Sequence, residues 1–261
     1  NDTTDTVTVS IAGNGDVLEN ANPTFTITLN QALKDDLTVQ LSNGGSVTVK
    51  AGDTSAIYTA PIQGDDVYKD AGPLSLTITD ASVQGKVFED LQLSKEPGVV
   101  QINDTTDTVT VSIAGNGAVL ENANPTFTVS INKALADDLT VTLSNGDTVV
   151  IKAGSTSVPY ELKAQGDDVY KDGQTIEVGV SNATVDGKSF ENLVLGGKAQ
   201  VTIDDTLTEV KATLTVDKTT VTEGGQITYT VTLTNAAGLP MASHGPLEFT
   251  LTDGTVVKIP A

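Results

Sequence analysis

The stretch "NDTTDTVTVSIAGNG" occupies residues 1–15 and returns letter for letter at 103–117. Its middle alternates Thr or Ser with Val or Ile, the period of two that puts apolar side chains on one face of a β-strand. It closes on Asn-Gly, a pair that accepts the positive φ of tight turns. Two more matches keep the same offset of 102 residues (103 minus 1): "LENANPTFT" at 18–26 and 120–128, and "GDDVYKD" at 64–70 and 166–172. A more divergent third copy opens with "DDTLTEVKATLTV" at 204–216 and continues with "VTEGGQITYTVTLTN" at 221–235. Units of about 100 residues are too long for solenoid repeats and suit separate domains on one string. The expected domains are therefore 1–102, 103–203 and a partial third unit at 204–261.

Outward from the opening stretch, the first unit reads as seven short strands. They are "TVTVSI" (6–11), "TFTITL" (24–29), "LTVQLS" (37–42), "SVTVKA" (46–51), "SAIYTA" (55–60), "LSLTITDAS" (74–82) and "GVVQI" (98–102). "NGG" at 43–45 supplies a hairpin turn. This pattern predicts an all-β fold of tandem immunoglobulin-like β-sandwich domains arranged end to end. The Cys and Trp hallmarks of antibody domains are missing, so only the architecture carries over.

Thirty-four acids against fourteen bases leave a net charge of -20 on 261 residues. Nucleic acid is excluded as a partner, because phosphate binding needs a positive footprint. Anionic membrane surfaces are disfavoured for the same reason. Such a charge opposes compaction unless counter-ions hold the acids together or high salt screens them. Cysteine is absent, which excludes disulfides, thiolate metal sites and cysteine nucleophiles. No signal peptide and no apolar run of spanning length is present, so direct membrane insertion is not expected. The chain starts and stops inside repeats and is expected to be an excerpt of a longer protein.

The acids concentrate where strand direction brings loops together. Seven antiparallel strands place the 12–23 connection, the 61–73 loop and the exit of the last strand at one end of the sandwich. That end then collects Glu19, Asp65, Asp66 and Asp70 with Asn103, Asp104 and Asp107 at the junction to the next unit. The second unit repeats the construction with Glu121, Asp167, Asp168 and Asp172 facing Asp204 and Asp205. Asp107 is the weaker member, because Thr208 stands in its place at the next junction. The bland alternative is a set of solvated turn acids. Crowded carboxylates repel and raise one another's pKa unless a cation intervenes. Hard oxygen donors without His or Cys suit Ca²⁺, with Mg²⁺ a poorer match because of its stricter octahedral geometry.

The "I-[ND]-D-T" junctions at 102–105 and 203–206, the GDD loops and "TEGGQITYTVTLTNAAGLPM" at 222–241 resemble a known family. They are similar to the extender repeats of large bacterial RTX biofilm adhesins of the large-adhesion-protein type, over essentially the whole chain. The resemblance implies Ca²⁺ at the interdomain linkers, a bacterial cell-surface address reached by type I secretion, and a spacer role between membrane anchor and ligand-binding tip. The glycine-aspartate nonapeptides of the RTX secretion end are not in this sequence.

No catalytic residue is expected. His244, the one histidine, lies in an apparent loop without a counterpart in the other units. Acid pairs could in principle serve a glycosidase, but they recur at junctions and lack an aromatic platform. Tyr68 and Tyr170 are expected to anchor their loops, and Phe25, Phe127, Phe88 and Phe190 to pack in cores or loops. The reading is a non-enzymatic, calcium-rigidified extender of a surface adhesin, a monomeric rod whose partners are neighbouring repeats of the same chain through Ca²⁺. Two alternatives stand beside it: a module that grips a glycan or protein directly, and a calcium-dependent homophilic adhesion domain.

Overall fold

The structure is a computed structural model that describes residues 4–241 and 244–260. Residues 1–3, which open the repeated stretch, lie outside the described residues, as do 242–243 and 261. The described residues form strands, turns and loops and no helix. The chain divides into two compact units, Asn1–Val109 with Val185–Val194, and Thr110–Thr184 with Leu195–Ala261.

Ten strands build the first repeat: β1 (Thr6–Gly13), β2 (Val17–Leu18), β3 (Thr24–Leu29), β4 (Leu37–Leu41), β5 (Ser46–Val49), β6 (Ser55–Thr59), β7 (Pro73–Leu76), β8 (Ile78–Ser82), β9 (Asp90–Leu93) and β10 (Gly98–Asn103). One sheet runs β6-β3-β1-β9, and the facing layer is made of β5-β4-β8 and β2-β10-β7. Alternation decides which side chains meet between the layers. Val7, Val9 and Ile11 of β1 and Phe25, Ile27 and Leu29 of β3 point inward, against Leu37, Val39 and Leu41 of β4 and Val100 of β10. Burying each such side chain is worth about 1.5–3 kcal/mol. Phe25, completely buried, is the largest of them.

The count of seven antiparallel strands needs correction. The 74–82 run breaks at Thr77, where Ser42 N–H donates to the Thr77 carbonyl (3.0 Å) and Thr77 N–H donates to Ser42 Oγ (3.1 Å). The register of β4 on β8 shifts at the same place. The chain therefore passes from one partner, β10, to another, β4. Two short segments were not foreseen, and both pair in parallel: β9 with β1 and β2 with β10. Pro97, just before β10, has no N–H to carry a ladder across from β9. The turn at Asn43-Gly44 forms as the sequence predicts, with Gly44 at φ 81°.

The second repeat follows with β11 (Thr108–Gly115), β12 (Val119–Leu120), β13 (Thr126–Ile131), β14 (Leu139–Leu143), β15 (Thr148–Ile151), β16 (Ser157–Glu161), β17 (Gln174–Thr184), β18 (Asn192–Leu195) and β19 (Lys198–Asp204). Here the broken run is one long strand, so β12-β19-β17-β14-β15 form a single sheet, with the same bulge at Thr142/Leu143. Phe127, Val129, Leu139 and Val201 fill the core. The third segment contributes the antiparallel pairs β20 (Val210–Val216) with β21 (Tyr229–Asn235), and β22 (Leu247–Thr250) with β23 (Val256–Ile259).

Candidate metal centres

The two-residue strand β2 aligns Leu18 with Asn103, and the next residue, Glu19, donates its N–H to the Asn103 carbonyl (2.9 Å). That pairing carries the Glu19 side chain inside, where it is completely buried. Its Oε1 accepts from Thr105 N–H (3.1 Å) and lies 3.0 Å from Thr105 Oγ1, which is also 2.7 Å from Asp65 Oδ1. One hydroxyl proton can serve only one of those carboxylates at a time. Glu19 Oε2 has no hydrogen-bond partner at all.

The GDDVYKD loop closes over this carboxylate. Gly64, at φ 117°, donates its N–H to the Glu19 carbonyl (3.3 Å). Asp66 Oδ1 accepts from Tyr68 N–H (2.6 Å), a tight turn that sends Val67 and Tyr68 inward. Asp104 Oδ1 accepts from Asp70 N–H (3.1 Å) and Ala71 N–H (2.8 Å), which ties the junction to the far end of the loop. Two groups of carboxylate oxygens result, each with its atoms within 4.8 Å of one another: Glu19, Asp66 and Asp70, and Glu19, Asp104 and Glu191.

Glu191 was not foreseen. It belongs by sequence to the second repeat, but its segment, Val185–Val194, is part of the first compact unit. Asp107 N–H donates to Glu191 Oε2, and Glu191 Oε1 is buried without a partner. Burial holds the Glu191 carboxyl above the usual carboxylate range, and the charges of Glu19 and Asp107 push the same way against the lowering effect of the Asp107 N–H. The available signal was an exact offset of 102: Asp5 N–H donates to Glu89 Oε2 (2.7 Å) in the first repeat as Asp107 does to Glu191.

The second unit rebuilds the arrangement. Glu121, completely buried, donates its N–H to the Asp204 carbonyl (3.0 Å) and accepts at Oε1 from Thr206 N–H (3.0 Å). Its Oε2 is again without a partner. Asp205 Oδ1 accepts from Asp172 N–H (2.9 Å) and Gly173 N–H (2.6 Å), and Thr206 Oγ1 reaches Asp167. Glu121, Asp168 and Asp172 bring carboxylate oxygens within 4.8 Å.

Of the residues expected to meet, Glu19, Asp66, Asp70 and Asp104 do so, as do Glu121, Asp168 and Asp172. Asp65 and Asp167 stand beside the threonine hydroxyls. Asp205 ties the second loop through backbone N–H groups. Asn103 and Asp204 are exposed and reach their sites through backbone carbonyls. Asp107 approaches through its N–H to Glu191. Tyr68 is buried against Phe190, with ring centroids 5.5 Å apart, whereas Tyr170 is 44% exposed. His244 lies with its Nδ1 2.8 Å from the Gly245 carbonyl.

Like charges about 4–5 Å apart cost about 3–4 kcal/mol per pair at an effective dielectric of about 20. Among the described residues no lysine forms an ion pair with Glu19, Asp66, Asp70, Asp104 or Glu191. A buried carboxylate oxygen left unpaired adds a desolvation penalty. The donor set is oxygen throughout, and each buried glutamate aims one unsatisfied oxygen into it. These clusters fit a hard metal cation.

A family model described as LapA domain matches residues 5–105 and again 107–206. A search among curated proteins finds no match. Among solved structures, the tetra-tandem repeat in the extending region of a large adhesion protein is similar at 15% identity and a TM-score of 0.26, over 97% of this chain and 72% of that one. The calcium binding domain CBD12 of CALX1.1 is similar at 11% identity and a TM-score of 0.32, over 75% and 99%. The fibronectin(III)-like modules of Clostridium thermocellum CbhA are similar at 10% identity and a TM-score of 0.25, over 76% and 94%.

Proposed function

From the premise that the chain belongs to the LapA domain family, we infer that it is a calcium-rigidified extender of a surface adhesin. It serves cell adhesion and biofilm formation from an extracellular, bacterial cell-surface position, by holding a ligand-binding region away from the cell. No helix among the described residues is long and apolar enough to cross a membrane.

The observation that carries the reading is Glu19, completely buried with one oxygen unpaired among carboxylates from three distant segments. Glu19, Asp66, Asp70, Asp104 and Glu191 would hold Ca²⁺ in the first unit, and Glu121, Asp168 and Asp172 in the second. A bound Ca²⁺ supplies two positive charges and a demand for six to eight oxygens at about 2.3–2.6 Å. The residues do the mechanical work. Thr105 and Asp104 pin the junction to β2 and to the GDDVYKD loop, so the linker loses its freedom to swing. Glu191 joins a segment of the second repeat to the same cluster. Sites of extracellular modules bind Ca²⁺ at about 10⁻⁴ to 10⁻³ M, which favours occupancy outside a cell.

Thermal unfolding tests this. Calcium at about 100 times its Kd should stabilise by about 2.7 kcal/mol and raise the midpoint by roughly 10–20 °C. The double variant Glu19→Gln, Glu121→Gln should lose that rise, yet in chelator unfold at a higher temperature than the native sequence, because two uncompensated buried charges are gone. A variant less stable in both conditions would reduce both glutamates to hydrogen-bond acceptors and sink the reading.

A further inference from the structure

Two loops bring carboxylates to the first metal centre, and each carries an aromatic ring beside them. Tyr68 lies between Asp66 and Asp70 in the GDDVYKD loop, and Phe190 immediately precedes Glu191. The two residues form an isolated antiparallel bridge between segments far apart in sequence. Its hydrogen bonds flank the pair: Lys69 N–H donates to the Ser189 carbonyl (2.8 Å), and Glu191 N–H donates to the Val67 carbonyl (2.9 Å). In such a widely spaced pair the side chains come close together. The rings stack with their centroids 5.5 Å apart and their planes 29° from parallel, and Lys188 Nζ sits 4.5 Å from the centre of the tyrosine ring. Tyr68 is left only 5% exposed.

Two backbone hydrogen bonds alone make a weak seat, because water competes for the same donors and acceptors. The stacked rings exclude that water and add an attraction of their own. The consequence for the carboxylates is direct. Asp66 Oδ1 accepts from Tyr68 N–H (2.6 Å), so the placing of Tyr68 fixes the turn that carries Asp66. Glu191 follows Phe190 in the chain, and the same seat brings its carboxylate to those of Glu19 and Asp104. Without an ion these carboxylates repel one another. A contact outside the cluster is then needed to hold the two segments together, and the aromatic pair is that contact.

We propose that Tyr68 and Phe190 are positioning residues that preassemble the first metal centre and thereby set its affinity for calcium. This rests on the calcium reading above and adds to the site two residues outside its carboxylates. An ion binds the assembled form, so its apparent affinity falls with the fraction of molecules in which the seat is made. By the same linkage, bound calcium tightens the seat.

Calorimetric titration with calcium tests it in a Glu121→Gln parent, which lacks the buried carboxylate of the second centre. Adding Phe190→Ala should weaken calcium binding at the first centre about ten-fold, and Phe190→Tyr, which keeps a ring, should restore it. Hydrogen exchange in chelator supplies a readout that needs no ion. The Lys69 and Glu191 amides should exchange faster in Phe190→Ala than in the parent. The Leu29 amide, bonded to the Thr54 carbonyl (2.8 Å) within the first sandwich, should keep its protection and so report an intact fold. Calcium bound as tightly by Phe190→Ala as by the parent, or Lys69 and Glu191 amides no faster, would overturn the proposal and leave the calcium reading standing. A parent that takes up no calcium would instead sink that reading, and this proposal with it.

Discussion

Glu191 sits where its surroundings work against its charge: burial and the neighbouring Glu19 and Asp107 raise its carboxyl above the usual range. A carboxyl raised in the folded state binds its proton more tightly there than in the unfolded chain. In ion-free protein, folding stability should therefore rise as pH falls from about 7 towards about 5. With calcium present the sign reverses, because protons then compete with the ion for the same oxygens. Urea midpoints measured across that range, with chelator and with calcium, should diverge, and Glu191→Gln should flatten the chelator curve. An ion-free protein that loses stability on the same acidification would show that Glu191 is not held in an unfavourable setting. Glu19 was readable as a candidate from its place in the 12–23 connection and its repeat at Glu121, because strand direction sends that connection to the acidic junction. Glu191 was not. It lies in a segment whose importance depends on packing against residues far away in sequence, which no local pattern records.

At the level of strands, alternation made most of the fold legible. The β3 run, "TFTITL", coincides with its predicted bounds, and β1, β4, β5, β6 and β10 differ only at their ends. What escaped were β2 and β9, two and four residues long, too short for a periodic signal. Their parallel pairing is set by the neighbours they land beside. β2 is the costly omission, since it positions Glu19. Close approach between layers is also invisible in sequence until a glycine marks it. A Cβ on Gly13 would lie 1.9 Å from the Val99 carbonyl oxygen, and on Gly115 2.1 Å from that of Gln200. Both obstacles are backbone and cannot rotate aside. Gly13→Ala should cost at least about 1–3 kcal/mol in urea unfolding, the usual range for an overpacked site. Gly72→Ala, with no atom within 4 Å of the added carbon, is the matched control and should change stability far less. Equal losses at the two positions would mean that backbone freedom, and not the approach of the layers, is what Gly13 provides.

Over the whole molecule, 34 acids face 14 bases, and the surplus is not spread evenly. Carboxylates gather at the exit from each of the first two repeats, where Asp104 and Asp205 tie the onward chain to the loop behind it. Exposed pairs such as Lys50 with Asp36 and Lys152 with Asp138 contribute little, because water screens them. The buried clusters are where a bound cation would change the behaviour of the chain. The central claim is that calcium turns each junction from a hinge into a fixed joint. Small-angle scattering on dilute protein, before and after chelation, tests it most directly. The account predicts a narrow, extended distribution of distances in millimolar calcium that shortens and broadens when calcium is removed, with Asp104→Ala loosening only the first junction. Scattering curves that superimpose with and without calcium would contradict it.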